Sequence, residues 1–269
     1  RRYRRQLDLG LITEDWKLTE TDSRAYAWES ADHDFEDHRM AVYAAMIDSM
    51  DQNIGRLLDA LDNAGVADNT VVFFLSDNGG CAEEPGGRDP AERTPGPEDD
   101  YVSVGPAWGW AQNAPFRRYK TWMHEGGVCT PLIVRWPGRI EPGSITHQVG
   151  HVIDFMPTLL ELAGDEHPRT LNGKPTLPVE GLSLVPVLEG RSRPPHERLC
   201  WHFNGNAAIR QGRWKLVWDK LLGAWELYDL ESDRTEATDL APSDPDRVSR
   251  MAADYRRWAK SVNTKQVDL

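Results

Sequence analysis

The chain has 269 residues, and its 43 acidic against 31 basic side chains give a formal net charge of -12. This length permits one large α/β domain, or a large domain with a smaller one. The acidic balance argues against nucleic acid and membrane surfaces as partners, because both carry negative charge themselves, and it favours metal cations. No apolar run approaches the roughly 18 residues that a membrane-spanning helix needs.

The cysteines and the first residues leave the compartment open. Cys81, Cys129 and Cys200 are irregularly spaced and match neither a disulfide framework nor a CxxC metal motif. The stretch RRYRRQLDLGLITEDW has a basic start but lacks the apolar core of a signal peptide. We expect a periplasmic or secreted protein if a signal peptide precedes Arg1, and a cytoplasmic one otherwise. The oligomeric state is not predicted.

The first third of the chain predicts a helix followed by a strand. Residues 1–36 are polar and charged, which indicates a short helix and an irregular connection. From Asp37 to Leu61, apolar residues recur every three or four positions, so we expect a long amphipathic helix that stops before Gly65. TVVFFL, Thr70 to Leu75, is a continuous β-branched and aromatic run. Such a run predicts a strand buried on both faces of a parallel sheet.

The middle of the chain predicts a long loop, a second strand and a helix. Residues 81–106 are rich in glycine, proline and acids, and we interpret acids such as Glu83 as solvated. WGWAQNAPFRRYKTWMHEGG then predicts a polar and aromatic loop that leads into a second buried strand, Pro131 to Trp136. The helix that follows has Pro157 near its first turn and ends at Gly164.

The last third predicts a small antiparallel sheet. From Glu197 the short runs RLCWHF, NAAIRQ, RWKLVW and AWELYDL are joined by brief glycine or asparagine turns, a pattern typical of a meander. A final helix is expected over about Asp244 to Lys260. We therefore predict an α/β domain over 1–195 and a subdomain of antiparallel sheet plus helix over 196–269. Sheets average about five or six strands, so two or three buried strands predict an α/β domain that is incomplete at its amino-terminal end.

Asp77 and Asn78 follow the first buried strand, and ligands of open α/β sheets bind beyond the carboxyl ends of the strands. A carboxylate and an amide oxygen side by side are hard ligands suited to Ca²⁺ or Mg²⁺, and the next two glycines let the backbone turn tightly. Two donors fall short of the about six to eight that Ca²⁺ takes. The alternative is an Asx turn in which Asp77 caps the loop without a metal, and the residues taken alone favour it.

Lys120 begins a K-x4-E-G-G pattern that ends at Gly127, ahead of the second strand. A lysine in such a loop can neutralise an anionic substrate group as a compact point charge. Arg117 and Arg118 are close in sequence, so the alternative is a solvated basic face, which the pattern alone favours.

Histidines and known catalytic motifs add no further site. We interpret His124, His151 and His202 as packing or hydrogen-bonding residues rather than metal ligands. G-x-S-x-G, Walker, H-E-x-x-H and zinc-finger patterns do not occur in the sequence.

In combination these motifs are specific. The chain resembles the carboxyl-terminal half of the type I sulfatases, of the alkaline-phosphatase-like superfamily, and is most similar to the bacterial arylsulfatase branch. The resemblance runs from about Arg39 to Leu240. It rests on six segments in order: AVYAAMIDSMDQNIGRLLDAL, DNTVVFFLSDNGG, NAPFRRYKTWMHEGGVCTPLIVRWPG, GHVIDFMPTLLELAG, AIRQGRWKLV and WELYDL. It implies an alkaline-phosphatase-like α/β/α sandwich, incomplete at the amino terminus, with a small antiparallel C-terminal α+β subdomain.

The resemblance also implies residue roles. In the family, the Asp-Asn pair supplies two Ca²⁺ ligands and the aspartate helps to activate the nucleophile, so Asp77 and Asn78 are implied as metal ligands and Asp77 also as catalytic. The lysine ahead of E-G-G binds a sulfate oxygen and the ester oxygen, which implies a catalytic role for Lys120. The family nucleophile is a formylglycine made from cysteine or serine in a C/S-x-P/A-x-R motif.

None of the three cysteines begins that motif. Cys129 begins CTPLI, which lacks the arginine, and the paired N-terminal aspartates that complete the family's Ca²⁺ site are also missing. We therefore predict a sulfatase fragment, inactive alone, whose formylglycine and remaining ligands lie before Arg1, and whose substrate is a small-molecule or saccharide sulfate ester. Two alternatives stay open: a phosphodiesterase or phosphonate monoester hydrolase of the same superfamily, and a non-catalytic truncated remnant. The fold does not fix which alcohol carries the sulfate.

Overall fold

A computed structural model describes residues 1–21, 24–83 and 93–264. No helix within these ranges is both long and apolar enough to cross a bilayer. The helices and strands follow in this order: α1 (Arg2–Asp8), α2 (His33–Asn63), β1 (Val72–Leu75), α3 (Gly105–Asn113), α4 (Glu125–Val128), β2 (Leu132–Arg135), α5 (Phe155–Ala163), β3 (Thr170–Leu171), β4 (Lys174–Pro175), α6 (Val185–Leu188), β5 (Leu199–Phe203), β6 (Asn206–Gln211), β7 (Trp214–Asp219), β8 (Ala224–Asp229) and α7 (Pro245–Ser261).

The chain forms two compact units that alternate along the sequence. The first unit combines Arg1–Ala60, Leu75–Leu132 and Arg198–Leu269, and the second combines Leu61–Phe74 and Ile133–Glu197. The division into domains over 1–195 and 196–269 stays a prediction.

The C-terminal meander lies in the first unit and holds its main core. Strands β5 to β8 pair in sequence order, each antiparallel to the next. Asn204 and Gly205 join β5 to β6, and both have the positive φ that a two-residue hairpin turn requires. Helix α7 begins after Asp244, whose side chain caps it by accepting a hydrogen bond from the backbone of Arg247. The helix packs on the sheet through fully buried Ile209, Leu216, Leu227 and Tyr255. The predicted meander and final helix are confirmed.

Helix α2 is the predicted amphipathic helix, and it starts four residues earlier than expected, at His33 rather than Asp37. Asp32 explains the earlier start, because its carboxylate accepts a 3.1 Å hydrogen bond from the backbone of Phe35 in the first turn. Much of the apolar face is exposed. Its exposed side chains have 43 to 66% of their surface accessible and are Met46, Ile47, Met50 and Leu57.

The two strands that were expected to be buried, β1 and β2, pair with each other. The prediction of full burial is wrong, since Phe74 is 40% and Ile133 61% exposed. Among the described residues β1 and β2 form a sheet of only two strands. A sheet of that size lacks the neighbours that cover strands in a sheet of about five or six.

Helix α3 is a second difference from expectation, because it lies in a segment that was predicted to be an irregular loop. Pro106 occupies its first turn, where a missing N–H removes no helical hydrogen bond. Trp110 of this helix is buried against Tyr119 and Trp122. Glycine and tryptophan are mediocre helix formers, so packing rather than intrinsic propensity stabilises α3.

Helix α5, in the second unit, confirms its prediction. Pro157 lies in its first turn, and Gly164 ends it in a left-handed conformation with φ of 67°. Phe155 at its start meets Phe73 of β1 edge to face, with ring centroids 5.4 Å apart.

Candidate functional site

Asp77 and Asn78 lie in the turn that directly follows β1. The hydroxyl of Ser76 donates a 2.9 Å hydrogen bond to the carbonyl of Asn78 and thereby closes the turn. Asp77 is exposed and Asn78 is half-buried. Neither side chain has a hydrogen-bond partner in the part of the chain that the structure describes. The Asx-turn alternative needs a bond from the loop to the Asp77 carboxylate, so within that part it has no supporting contact.

The two motifs that were identified separately, Asp-Asn-Gly-Gly and K-x4-E-G-G, lie side by side. The backbone N–H of Lys120 donates to the carbonyl of Gly80 at 3.1 Å, and that of Gly79 donates to the carbonyl of Gly127 at 3.0 Å. A Cβ atom on Gly79 would collide with the carbonyl of Gly126. Only glycine permits so close an approach of two backbones, which gives the glycines of both motifs a physical reason.

The C-terminal end of α3 supports this junction through Asn113. Its Oδ1 accepts a 3.0 Å hydrogen bond from the backbone of Gly80, and its Nδ2 donates to the carbonyl of Gly109 at 2.8 Å. The sequence analysis missed Asn113, because the segment that contains it was interpreted as an irregular loop.

The Lys120 side chain is paired with an acid of the preceding loop. Its Nζ donates to Glu83 Oε2 at 2.7 Å, and the hydroxyl of Thr121 donates to the other oxygen of the same carboxylate at 3.1 Å. The hydrogen bond to Lys120 lowers the pKa of Glu83, and the same bond raises the pKa of Lys120. Glu83 is exposed, as expected of a solvated acid, but its pairing with Lys120 was not predicted. Its carboxylate therefore accepts hydrogen bonds from both Lys120 and Thr121.

Arg117 and Arg118 do not form a solvated basic face, so that alternative is wrong. Arg117 pairs with Glu226 at 3.1 Å and also contacts the hydroxyl of Tyr228. Arg118 pairs with Asp219 at 3.0 Å. Both acids are buried in the C-terminal sheet, so the two arginines tie the Lys120 loop to that sheet.

Three side chains that could bind a metal form a cluster near the Lys120 loop: His124, Asp219 and Glu226. One potential ligand atom of each lies within 4.8 Å of those of the other two. His124 Nε2 is 2.7 Å from Glu226 Oε2. Burial, the largest single effect, raises the pKa of Glu226, but the hydrogen bond and charge of His124, together with Arg117 and Tyr228, lower the value to about 2. Each acid also holds an arginine, Arg117 or Arg118. The positive charges of these two guanidinium groups would repel a bound cation, so the cluster is better described as an ion-pair network.

The other two histidines also make hydrogen bonds, as predicted. His151 caps a short helical turn by accepting from the backbone of Ile153 at 3.3 Å, and burial lowers the pKa of His151. His202 lies 2.7 Å from the hydroxyl of Tyr255.

Glu125 of the E-G-G sequence is buried and structural. Its carboxylate pairs with the fully buried Lys215 at 2.6 Å and with Arg234. Its backbone N–H donates to Glu236 at 2.6 Å. Burial alone would raise the pKa of Glu125, but the charges of Arg234 and Lys215 hold it well below the ordinary value. This acid therefore anchors the loop that carries Lys120.

Two family models match the chain: Sulfatase over residues 14–165, and N-sulphoglucosamine sulphohydrolase, C-terminal, over residues 116–252. An uncharacterized sulfatase of Schizosaccharomyces pombe is 32% identical over 273 residues, which is 93% of this chain and 49% of that protein. An arylsulfatase of Klebsiella aerogenes is 34% identical over 201 residues, covering 69% of this chain and 43% of that protein. The chain thus spans about half the length of the curated relatives it matches.

Solved structures share the fold. One of them, in complex with its substrate D-glucosamine-2-N,6-O-disulfate, superposes with a TM-score of 0.55 at 26% identity, covering 81% of this chain and 40% of the other. The predicted fold class, an alkaline-phosphatase-like α/β fold, is confirmed by such likenesses.

Proposed function

The chain belongs to the sulfatase family, and from that premise we propose that it is the carboxyl-terminal part of an arylsulfatase-like sulfuric ester hydrolase. One observation carries the proposal: the 3.1 Å hydrogen bond from Lys120 to Gly80, which joins the Lys120 loop to the loop of Asp77 and Asn78. A cation that can bind a sulfate group and two oxygen donors that can bind a metal thereby share one junction.

Lys120 is proposed to bind the anionic ester group and to neutralise the charge that develops on its oxygens during cleavage. The pairing with Glu83 raises the pKa of Lys120, so the amine is charged at neutral pH. The carboxylate of Glu83 is paired with the ammonium group of Lys120 in this structure. A sulfate group therefore has to displace that carboxylate in order to bind Lys120.

Asp77 and Asn78 are proposed to hold Ca²⁺. Both supply oxygen donors, and neither has to give up a hydrogen bond to another described residue, so the donor set fits this hard cation. A bound Ca²⁺ would stabilise negative charge on the sulfate oxygens. Asp77, whose carboxylate has no partner among the described residues, is also proposed to help activate the nucleophile.

The remaining parts of the site are proposed to lie before Arg1: a formylglycine nucleophile and the further Ca²⁺ ligands. We propose that the 269-residue chain alone is inactive, since none of its three cysteines begins a C/S-x-P/A-x-R motif and its one serine match, Ser243 to Arg247, forms the start of α7. Exposed apolar side chains support this view, because Met46, Ile47 and Met50 on α2 are 43 to 66% exposed and, separately, Ile133 on β2 is 61% exposed. Large exposed apolar side chains that cluster mark surfaces for further polypeptide.

The substrate is proposed to be a small-molecule or saccharide sulfate ester. A saccharide is supported by the second matching family, described as N-sulphoglucosamine sulphohydrolase, and by the solved structure that binds D-glucosamine-2-N,6-O-disulfate. The compartment is proposed to follow from the upstream sequence: periplasmic or secreted with a signal peptide, cytoplasmic without one.

The test uses the full-length protein, meaning this chain with the residues encoded before Arg1. Hydrolysis of an aryl sulfate and of an aryl phosphate diester is measured in parallel. We expect the sulfate ester to be cleaved faster by orders of magnitude. A preference for the phosphate diester would instead support a phosphodiesterase or phosphonate monoester hydrolase. Cleavage of neither ester, with no C/S-x-P/A-x-R motif upstream, would identify a non-catalytic remnant.

A further inference from the structure

Lys120 lies between two residues with a left-handed backbone. Arg118 has φ of 67° and Thr121 has φ of 85°. Positive φ is unfavourable for residues with a side chain, and a β-branched residue such as Thr121 is a genuine outlier there. Residues in such conformations persist only where their surroundings enforce them, and they concentrate at functional sites. Some neighbouring group must therefore hold the backbone on both sides of Lys120.

Asn206, the first residue of β6, holds the backbone after Lys120. Its side chain is fully buried, and its Nδ2 donates a 3.0 Å hydrogen bond to the carbonyl of Thr121. Its Oδ1 accepts a 3.1 Å bond from the backbone of Lys220. Because both ends of the amide are bonded, its orientation is fixed, and the donor stays directed at Thr121.

Asp219, the last residue of β7, binds the side chain of Arg118, two residues before Lys120. Its buried carboxylate accepts from Arg118 at 3.0 Å and from the backbone of Leu221 at 2.8 Å. The Arg118 guanidinium also lies over the ring of Trp122, 4.4 Å from the centroid. The side chain of this left-handed residue is therefore fixed on two sides.

Asn206 and Asp219 lie at the same end of the same strand pair, because the adjacent residues Ala207 and Trp218 are partners in the β6–β7 register. One end of the C-terminal sheet therefore binds both left-handed residues, Arg118 before Lys120 and Thr121 after it. Each of the two has its own buried anchor, Asn206 at the carbonyl of Thr121 and Asp219 at the side chain of Arg118.

We propose that Asn206 and Asp219 are positioning residues that hold Lys120 against the sulfate group of the substrate. The inference rests on the proposed function. Without either anchor, Thr121 or Arg118 relaxes to an ordinary negative φ, which turns the Lys120 side chain away from the junction with Gly80. The C-terminal sheet then contributes to the active site by positioning Lys120, although none of its own groups contacts the substrate.

The test replaces Asn206 in the full-length protein by a residue of the same shape. Asn206→Asp keeps the oxygen that accepts from Lys220 and removes the donor to Thr121. We expect kcat for an aryl sulfate to fall about 10- to 100-fold while KM changes less than about threefold, because a small displacement of a catalytic group costs turnover on that scale. Gln211→Glu is the matched control, since it makes the same amide-to-acid change on β6 and removes a 2.7 Å bond to Asp254 instead; its kcat should stay at the wild-type value.

Rescue separates positioning from general stabilisation. Thr121→Gly in the Asn206→Asp background should recover at least about threefold in kcat relative to Asn206→Asp alone, because glycine adopts positive φ without strain. A merely structural anchor predicts a lower melting temperature, an unchanged kcat for the folded protein and no rescue. If Asn206→Asp fails to fold, Asp219→Asn is measured instead. This substitution keeps the shape of the side chain and weakens its bond to Arg118.

Lys120→Ala distinguishes failure of this inference from failure of the proposed function. If Lys120→Ala abolishes turnover while Asn206→Asp and Asp219→Asn keep wild-type kcat, the positioning role is overturned and the sulfatase function stands. If Lys120→Ala itself keeps wild-type kcat, the role of Lys120 falls, and the positioning role falls with it.

Discussion

The backbone N–H of Lys120 donates to the carbonyl of Gly80 at 3.1 Å, and this bond joins two loops that are far apart in the sequence. A second bond, from Gly79 to Gly127 at 3.0 Å, makes the junction a two-point contact. The proposed site depends on this contact, because it fixes Lys120 relative to the turn that holds Asp77.

The junction predicts that Gly79 is intolerant of any side chain. Gly79→Ala should lower the free energy of unfolding by about 1–3 kcal/mol, the usual cost of overpacking, because its Cβ meets the carbonyl of Gly126. Gly55→Ala is the control: nothing lies within 4 Å of a Cβ there, and alanine favours a helix over glycine by up to about 1 kcal/mol. Urea unfolding of both variants checks the contrast. Equal effects of the two substitutions would contradict the backbone contact.

Removal of the proposed calcium ligand should weaken metal binding. Asp77→Ala takes away a charged oxygen donor, and we expect Ca²⁺ affinity of the full-length protein to fall by at least about 10-fold, since even the partners of metal ligands contribute that much. Isothermal titration with CaCl₂ measures the change. Asp59→Ala, an exposed acid on α2, removes the same charge and should leave the affinity unchanged. Unaltered Ca²⁺ binding by Asp77→Ala would exclude this residue as a ligand.

Glu83 should compete with free sulfate for Lys120. In Glu83→Gln the neutral amide no longer raises the pKa of Lys120, which falls towards its ordinary value, and the amine is available to anions. We expect inhibition of aryl sulfate hydrolysis by inorganic sulfate to strengthen about two- to fivefold, as the loss of an exposed ion pair allows. Asp99→Asn removes one charge from an exposed position of the same loop and serves as the control. An inhibition constant that does not differ between the two variants would contradict the competition.

The ion pairs of Glu226 should make the free energy of unfolding depend on pH. The pKa of Glu226 is lowered to about 2 from 4.5, so between these values the folded protein binds fewer protons than the unfolded chain, and stability rises with pH. The contribution is complete above about pH 4.5 and is lost as pH falls towards 2; it amounts to at most about 3 kcal/mol. In Glu226→Gln the free energy of unfolding should change less over this window than in wild type. Parallel curves in urea titrations at several pH values would contradict the assignment.

Local features of the site were predictable from sequence, because each depends on neighbouring residues. An apolar run followed by Asp77 and Asn78 indicates the end of a strand with hard ligands, and the glycines after Lys120 indicate a tight loop. The same holds for the meander, where turn residues such as Asn204 separate strands of matching length.

Long-range features were not predictable from sequence. The burial of β1 was predicted wrongly, because cover comes from distant elements rather than from the strand's own residues. The pairing of Glu83 with Lys120 joins residues of two separate loops, and nothing in either loop signals the other. Asn206 and Asp219 were missed for the same reason: polar residues at strand ends look like turn residues until a structure shows what they bind.

Lys120 and the Asp77 loop are proposed to form part of a Ca²⁺-dependent sulfatase site. The most direct measurement is the rate of sulfate release from an aryl sulfate by the full-length protein, for wild type and Lys120→Ala, before and after removal of Ca²⁺ by a chelator. We expect wild type to release sulfate, to lose activity on chelation and to regain it with added Ca²⁺, and we expect Lys120→Ala to be slower by about 100-fold or more. Wild-type rates in Lys120→Ala, or full activity without Ca²⁺, would contradict the claim.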